Sequence, residues 1–311
     1  MAVKFGNDRN YVGYGAQPPV VQWPNQARLA LQFVLNYEEG GENSVQHGDA
    51  HAETFLSEIY GAEPYADRHL SMESLYDYGS RAGVWRLLKE FEQRQLPLTV
   101  FAIATALAKN PPVTNALLAN GHEICGHGLK WIHYQNVSKA MEREHLQQAL
   151  TLYQQLTGSR PLGWYTGRDS PNTRQLLLEE GGFYYDSDSY ADDLPFWMPY
   201  QQDGEDRAHL VVPYTLDNND MRFYSPYGFS HGDEFFHYLK DSFDCLYAEG
   251  ADHPKMMSVG LHCRISGRPG RISGLQRFLD YVQSKPDVWI AQRIDIARYW
   301  TEHYPYHALN K

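Results

Sequence analysis

Cysteine is scarce in this chain. Its 311 residues include only Cys125, Cys245 and Cys263, an odd number with no CxxC spacing. That excludes a disulfide framework and a CxxC-built zinc site, and it favours a reducing, cytoplasmic setting. Clusters of Lys and Arg are also lacking. With a formal net charge of −11, the general field repels phosphate, so nucleic acid and anionic membrane surfaces are not expected partners. No apolar run approaches the roughly 20 residues that cross a bilayer. The opening residues, MAVKFGNDRNYVGYG, lack the apolar centre of a signal peptide. Repeats and low-complexity linkers are absent too.

What remains is an ordinary globular composition, 42% hydrophobic and 21% charged, rich enough in apolar residues for a sizeable core. Aromatics make up 14%, with 23 tyrosines. They suit an aromatic core and subunit interface, or stacking planes for a flat ligand.

Residues 1–26 carry Gly, Pro and Asn without periodicity and suggest an extended arm around the domain or a neighbouring subunit. From residue 27 to 311 a single domain is expected. Residues 27–35, ARLALQFVL, have the length and apolar density of a buried strand. In 80–95, Val84, Leu87, Leu88 and Phe91 fall at helical spacing. Ser138 can cap a long helix that Gly158 ends. Ser170 and Pro171 suit the start of another. Further strands are expected at LPLTVFAIA, HEICG, PLGWY, FYYDS, LVVPYTL, KMMSVGLHC and VWIAQ. This alternation predicts an α/β fold, a distorted (β/α) barrel of about seven to eight mostly parallel strands.

In such a barrel the chemistry sits where strands end and loops begin. The segment LQFVLNYEEGGENS runs from an apolar strand into Glu38 and Glu39, followed by two glycines that let backbone approach a ligand. Neighbouring strand residues point opposite ways, so one acid should face the centre while the loop aims the other. A solvated surface pair is the bland alternative. His122 suits a packed core histidine, whereas His127, between glycines just past its strand, suits function. Whether His133 or His231 reaches the pocket stays open. Trp164, Tyr165 and Arg168 in GWYTGRD could form a stacking and hydrogen-bonding wall, with Arg168 on a carbonyl or a developing negative charge. His262 ends its strand, where it can donate a proton to a leaving nitrogen. Cys263 beside it faces the other way and is a poor candidate nucleophile.

Together these segments resemble the polysaccharide deacetylase superfamily, from about residue 27 to 299. The superfamily's first motif, Thr-Phe-Asp-Asp-Gly, stands here as Asn36-Tyr37-Glu38-Glu39-Gly40. The resemblance implies a distorted barrel in which the first acid is a base and the second binds a divalent metal. GHEICGHGLKWIH is similar to the second motif. His127 fits the first metal histidine, while Trp131 holds the place of the second. Leu261-His262 matches the Leu-His motif. RNYVGYG, NYEEGGENS and GLHCRISGRPGRI look most like the allantoinase branch, whose members open the hydantoin ring of allantoin to allantoate in urate breakdown and form oligomers.

That resemblance implies allantoin as the small-molecule substrate, and a homo-oligomer, with a tetramer favoured. An indole N–H is donor-only and cannot ligate a cation, and a hydrolytic zinc wants three protein ligands. The expectation is therefore a site without a cofactor, with one weakly bound zinc as the alternative. Glu38, raised in pKa by burial and by Glu39, would act as base. Glu39 and His127 would orient the water, and His262 would be the acid. Asn36, Trp131, His133, Trp164, Tyr165, Arg168 and Arg264 would contact substrate, with Trp131 and Trp164 stacking on the ring. A metal-dependent polysaccharide or peptidoglycan N-deacetylase, a hydrolase of another cyclic amide, and a binding protein without turnover are the rival expectations.

Overall fold

The computed structural model describes residues 3–6 and 9–306. Residues 1–2 and 7–8 of the expected arm, and 307–311 of the expected domain, lie outside the described residues. The strands are β1 (Val3–Lys4), β2 (Leu29–Tyr37), β3 (Thr99–Ala102), β4 (Glu123–Gly126), β5 (Gly163–Trp164), β6 (Tyr185–Asp186), β7 (Phe196–Gln202), β8 (Glu205–Val211), β9 (Lys255–His262) and β10 (Val288–Ile290). The helices are α1 (Leu70–Tyr78), α2 (Val84–Arg94), α3 (Ala104–Lys109), α4 (Pro111–Ala119), α5 (Lys139–Thr157), α6 (Thr173–Glu180), α7 (Gly232–Glu249), α8 (Pro269–Gln283) and α9 (Arg293–His303).

β9, β2, β3, β4, β5, β6 and β8 pair in parallel in that order, and β10 joins the start of β2. A parallel bridge between Asn219 and Gly260 ties the segment after β8 back to β9. Along β2, Leu29, Leu31, Phe33, Leu35 and Tyr37 pack with the helix layer. Ala30 and Val34 instead join Phe101, Cys125, Tyr165, Tyr185 and Tyr214 in a second core on the other face. Alternation along a strand buried on both faces produces this division.

Register then builds the site. Asn36 pairs with His262. Tyr37, Ala102, Gly126 and Trp164 form one row across β2 to β5. The next residue on β2, β4 and β5 is therefore Glu38, His127 and Tyr165, side by side at the strand ends.

Two sequence expectations need adjustment, and one element goes beyond them. Residues 80–95 are the second half of a longer helical run, α1 to α2, joined by a π-helical turn at Gly79–Gly83. α6 starts at Thr173 rather than at Pro171, with the Ser170 hydroxyl accepting from the Asn172 N–H instead of capping the helix. The antiparallel hairpin β7–β8 was not anticipated, because Pro199 and alternating polar residues resemble a loop. Its turn, Asp203-Gly204, has positive φ at both residues, which Asp-Gly tolerates. Ser138 caps α5 and Gly158 ends it in the left-handed conformation, as its spacing suggests. Before β2, Trp23 and Val21 are buried in the second core, and the Tyr14 hydroxyl donates to the Pro195 carbonyl. Among the described residues no helix is long and apolar enough to cross a membrane.

Candidate active site

Glu38 leaves β2 on the inner face and becomes the hub of the strand-end cluster. Its Oε1 lies 3.4 Å from His127 Nε2 and 3.5 Å from His262 Nε2, while its Oε2 lies 2.8 Å from Arg264 Nη1. Glu39 points the other way, into the underside of the helix layer. Its Oε1 accepts from the Arg264 backbone N–H at 3.1 Å and from Arg264 Nη1 at 3.3 Å. One guanidinium nitrogen thus spans both acids. A Cβ on Gly79 would sit 2.3 Å from Glu39 Oε1, so the π-turn can cross Glu39 only as glycine.

Both histidines are oriented through Nδ1. His127 Nδ1 is 2.7 Å from the Tyr165 carbonyl, and His262 Nδ1 is 2.6 Å from Asp220 Oδ1. With the Nδ1 proton held by an oxygen, each Nε2 faces Glu38. Asp220 also accepts the backbone N–H groups of His262 and Ser266. Tyr165 stacks on His127, with ring planes 11° apart, and on Phe101. It supports the histidine from below. Asn36 donates Nδ2–H to the Tyr214 hydroxyl and to the Leu261 carbonyl, so both its donors are engaged in the framework.

These contacts separate the titrations. Burial would raise the Glu38 carboxyl, but the Arg264 guanidinium, His262 and the hydrogen bond from His127 outweigh it and hold Glu38 well below the usual carboxylate range. This corrects the expected upward shift, which reckoned burial and Glu39 without the three cationic or donor partners. The upward shift belongs to Glu39, where burial and the Glu38 charge prevail over Arg264. For His262, burial pulls downward, but Glu38 and Asp220 raise it to about 9. Burial lifts the Cys263 thiol far up, which leaves it unreactive.

Trp131 packs as a platform between cations. The guanidinium of Arg168 lies 3.5 Å from its ring centroid and that of Arg264 5.1 Å, with the Phe55 and Tyr76 rings tilted against it. Arg168 Nη1 donates to the Trp131 carbonyl at 3.1 Å and meets Glu53 at 3.5 Å. Its Nε and Nη2 are buried without a hydrogen-bond partner, as is Arg264 Nη2.

The cluster therefore unites Glu38, Glu39, His127, His262 and Arg264, with Asn36, Tyr165, Trp131 and Arg168 packed around it. Two expected members fall elsewhere, and so does His231, whose reach the sequence left open. Trp164 points to the helix layer, against Tyr153 and Phe183, because it alternates with the inward Tyr165. It cannot stack on a ligand beside Glu38. His133 is solvent-exposed in the loop after Trp131, and His231 is exposed beside Glu234. Asp220, Glu53 and Tyr76 were missed. Asp220 opens a short 3₁₀ turn after the segment Asn218-Asn219, brought under His262 where that segment bridges to Gly260 of β9.

The family profile for polysaccharide deacetylase matches residues 69–179. A putative polysaccharide deacetylase of Schizosaccharomyces pombe is 43% identical over 92% of this chain and 94% of its own length. The chain belongs to the polysaccharide deacetylase family. Among solved structures, a probable polysaccharide deacetylase from Pseudomonas aeruginosa is 58% identical, covering 96% of this chain and 99% of its own, with a TM-score of 0.92. The PuuE allantoinase is 57% identical, covering 97% and 99%, with a TM-score of 0.94. The fold is thus that of the deacetylase hydrolases.

The divalent metal implied by the family does not fit the residues present here. Glu39 gives its Oε1 to Arg264, whose positive charge opposes a second cation between the acids. An indole fills the place of the second histidine. Among the described residues no three His, Cys, Asp or Glu side chains are grouped to hold an ion.

Proposed function

We propose that this chain is an allantoinase that opens the hydantoin ring by acid–base chemistry without a metal. The observation that carries this reading is the separation of Glu38, held ionised by Arg264, from His262, held protonated by Glu38 and Asp220. Two neighbouring groups pushed in opposite directions form an acid–base pair. The 57% identity to the PuuE allantoinase supports the choice of substrate.

In this mechanism Glu38 takes a proton from water as the water oxygen bonds to the ring carbonyl carbon. A pKa held below the usual carboxylate range makes Glu38 a weaker base but favours its ionised form. The carbonyl oxygen gains negative charge, which the free N–H groups of Arg168 stabilise. His262 Nε2 then gives its proton to the ring nitrogen as the carbon–nitrogen bond breaks. Transfer of the Glu38 proton to His262 restores both groups, and the new carboxylic acid ionises to allantoate. A hydantoin carbonyl is more electrophilic than a sugar N-acetyl amide, so the step tolerates the loss of Lewis-acid help.

On this reading the chain works in the cytoplasm, in urate breakdown, as a homo-oligomer, with a tetramer favoured. The test is an allantoin assay that follows allantoate. Wild-type protein should turn allantoin over, and Glu38→Gln should lose about 10²- to 10⁴-fold in rate. A full rate in Glu38→Gln would remove this base from the mechanism.

A further inference from the structure

The five clustered residues Glu38, Glu39, His127, His262 and Arg264 are each at most 5% exposed, so little of them is open to a ligand while the surrounding segments stay in place. Residues 44–69, which contain little regular structure, pack against the Arg264 side of this cluster. Beside outer ion pairs of Asp49 with Lys130 and Glu58 with Arg271, three of its attachments involve the site. The Leu56 carbonyl accepts from Arg264 Nε at 3.2 Å, and the Phe55 carbonyl accepts from the Tyr76 hydroxyl at 3.1 Å. The third point is Glu53 on Arg168.

The Glu53 contact has an unusual balance. Its carboxylate is satisfied by its own segment and by Asn43. Oε1 accepts the Thr54 and Phe55 N–H groups at 2.9 and 3.1 Å, and Oε2 accepts Asn43 Nδ2 at 2.8 Å. Arg168 Nη1 is a further, longer partner at 3.5 Å. Arg168 meanwhile keeps Nε and Nη2 buried and unpartnered, the edge of a guanidinium that grips a carboxylate through two parallel bonds. Leaving such donors unpaired is costly. Arg168 is thus under-used by Glu53, and a second carboxylate could hold it better.

We propose that Arg168 is a carboxylate-exchange point that couples ring opening to release of residues 44–69. This rests on the ring-opening reading. A neutral cyclic ureide leaves the Glu53–Arg168 contact in place. On the ring-opening reading Arg168 stabilises the carbonyl oxygen, so hydrolysis makes a carboxylate there, and this carboxylate takes the Nε/Nη2 edge. Two carboxylates on one buried guanidinium repel each other, so Glu53 withdraws and residues 44–69 open. Glu53 thereby sets both product release and the preference for neutral over anionic ligands.

Hydantoin, a neutral ring, and N-carbamoylglycine, its anionic open form, serve as probes. In wild-type protein, N-carbamoylglycine should speed amide hydrogen exchange in residues 44–69, while hydantoin should slow it or leave it unchanged. By calorimetry, Glu53→Gln should bind N-carbamoylglycine about tenfold more tightly and hydantoin within about twofold of wild type, with a melting curve confirming that the variant folds. Equal effects on the two probes, no change in exchange, or no binding of either overturns the proposal. If allantoin is hydrolysed but these differences are absent, only the exchange point fails. If allantoin is not hydrolysed but the anionic probe behaves as stated, only the substrate reading fails.

Discussion

Arg264 holds Glu38: Nη1 of the arginine stands 2.8 Å from Glu38 Oε2 and reaches Glu39 Oε1 from the same position. A single buried guanidinium thus supplies the positive charge between two acids. Removing it strands two carboxylates in a dry site. Arg264→Ala should cost about 3–5 kcal/mol of stability, measured by denaturant unfolding, and abolish turnover. Arg264→Lys should keep part of the stability but lose most of the rate, since one ammonium cannot hold both acids and the Leu56 carbonyl together.

The dependence on pH follows from the same contacts. Glu38 is depressed below its ordinary 4.5, so the acid limb of kcat/KM should fall well below the usual carboxylate range. His262 must be protonated to act, so the alkaline limb should appear near 9. For stability, the raised His262 contributes fully below 6.5 and loses its contribution as pH rises through about 9. The depressed Glu38 contributes above 4.5 and loses its contribution as pH falls through its lower folded value. A rate profile with an alkaline limb near 6.5 would contradict His262 as the acid.

Asp220 acts through His262. Asp220→Asn should pull the alkaline limb downward from about 9, because one of the two charges that raise the imidazole is gone. The rate should drop by about tenfold or more, with KM changed less than kcat. An unmoved alkaline limb would reduce Asp220 to a structural hydrogen bond.

Gly79 is a packing test. Its added Cβ would meet the Glu39 carboxylate at 2.3 Å. Gly79→Ala should destabilise the protein by about 1–3 kcal/mol, read from thermal unfolding, and lower activity by displacing Glu39 and Arg264 together. A neutral substitution would mean that the α1–α2 run shifts freely over the site.

Much of this was legible in the residues. Strand-end position and alternation place Glu38, His127 and His262 together, because a parallel register fixes neighbours once the strands are known. The facing of Trp164 was legible by the same rule, since it alternates with Tyr165. Its aromatic character suggested a ligand contact where burial only required core packing. Asp220 and Glu53 were not legible. Asp220 opens a short 3₁₀ turn placed beside β9 through the Asn219–Gly260 bridge, and Glu53 sits in a loop held mainly by its own backbone and Asn43, neither of which helix or strand periodicity specifies. The direction of the Glu38 titration was missed for the same reason. It depends on Arg264, whose reach back across the strand ends no local pattern announces.

The most direct measurement is allantoin turnover by protein exhaustively treated with a chelator, with metal content determined on the same sample. The expected result is an unchanged rate in protein holding far less than one ion per chain. A rate that disappears with the metal and returns with added zinc would contradict the account.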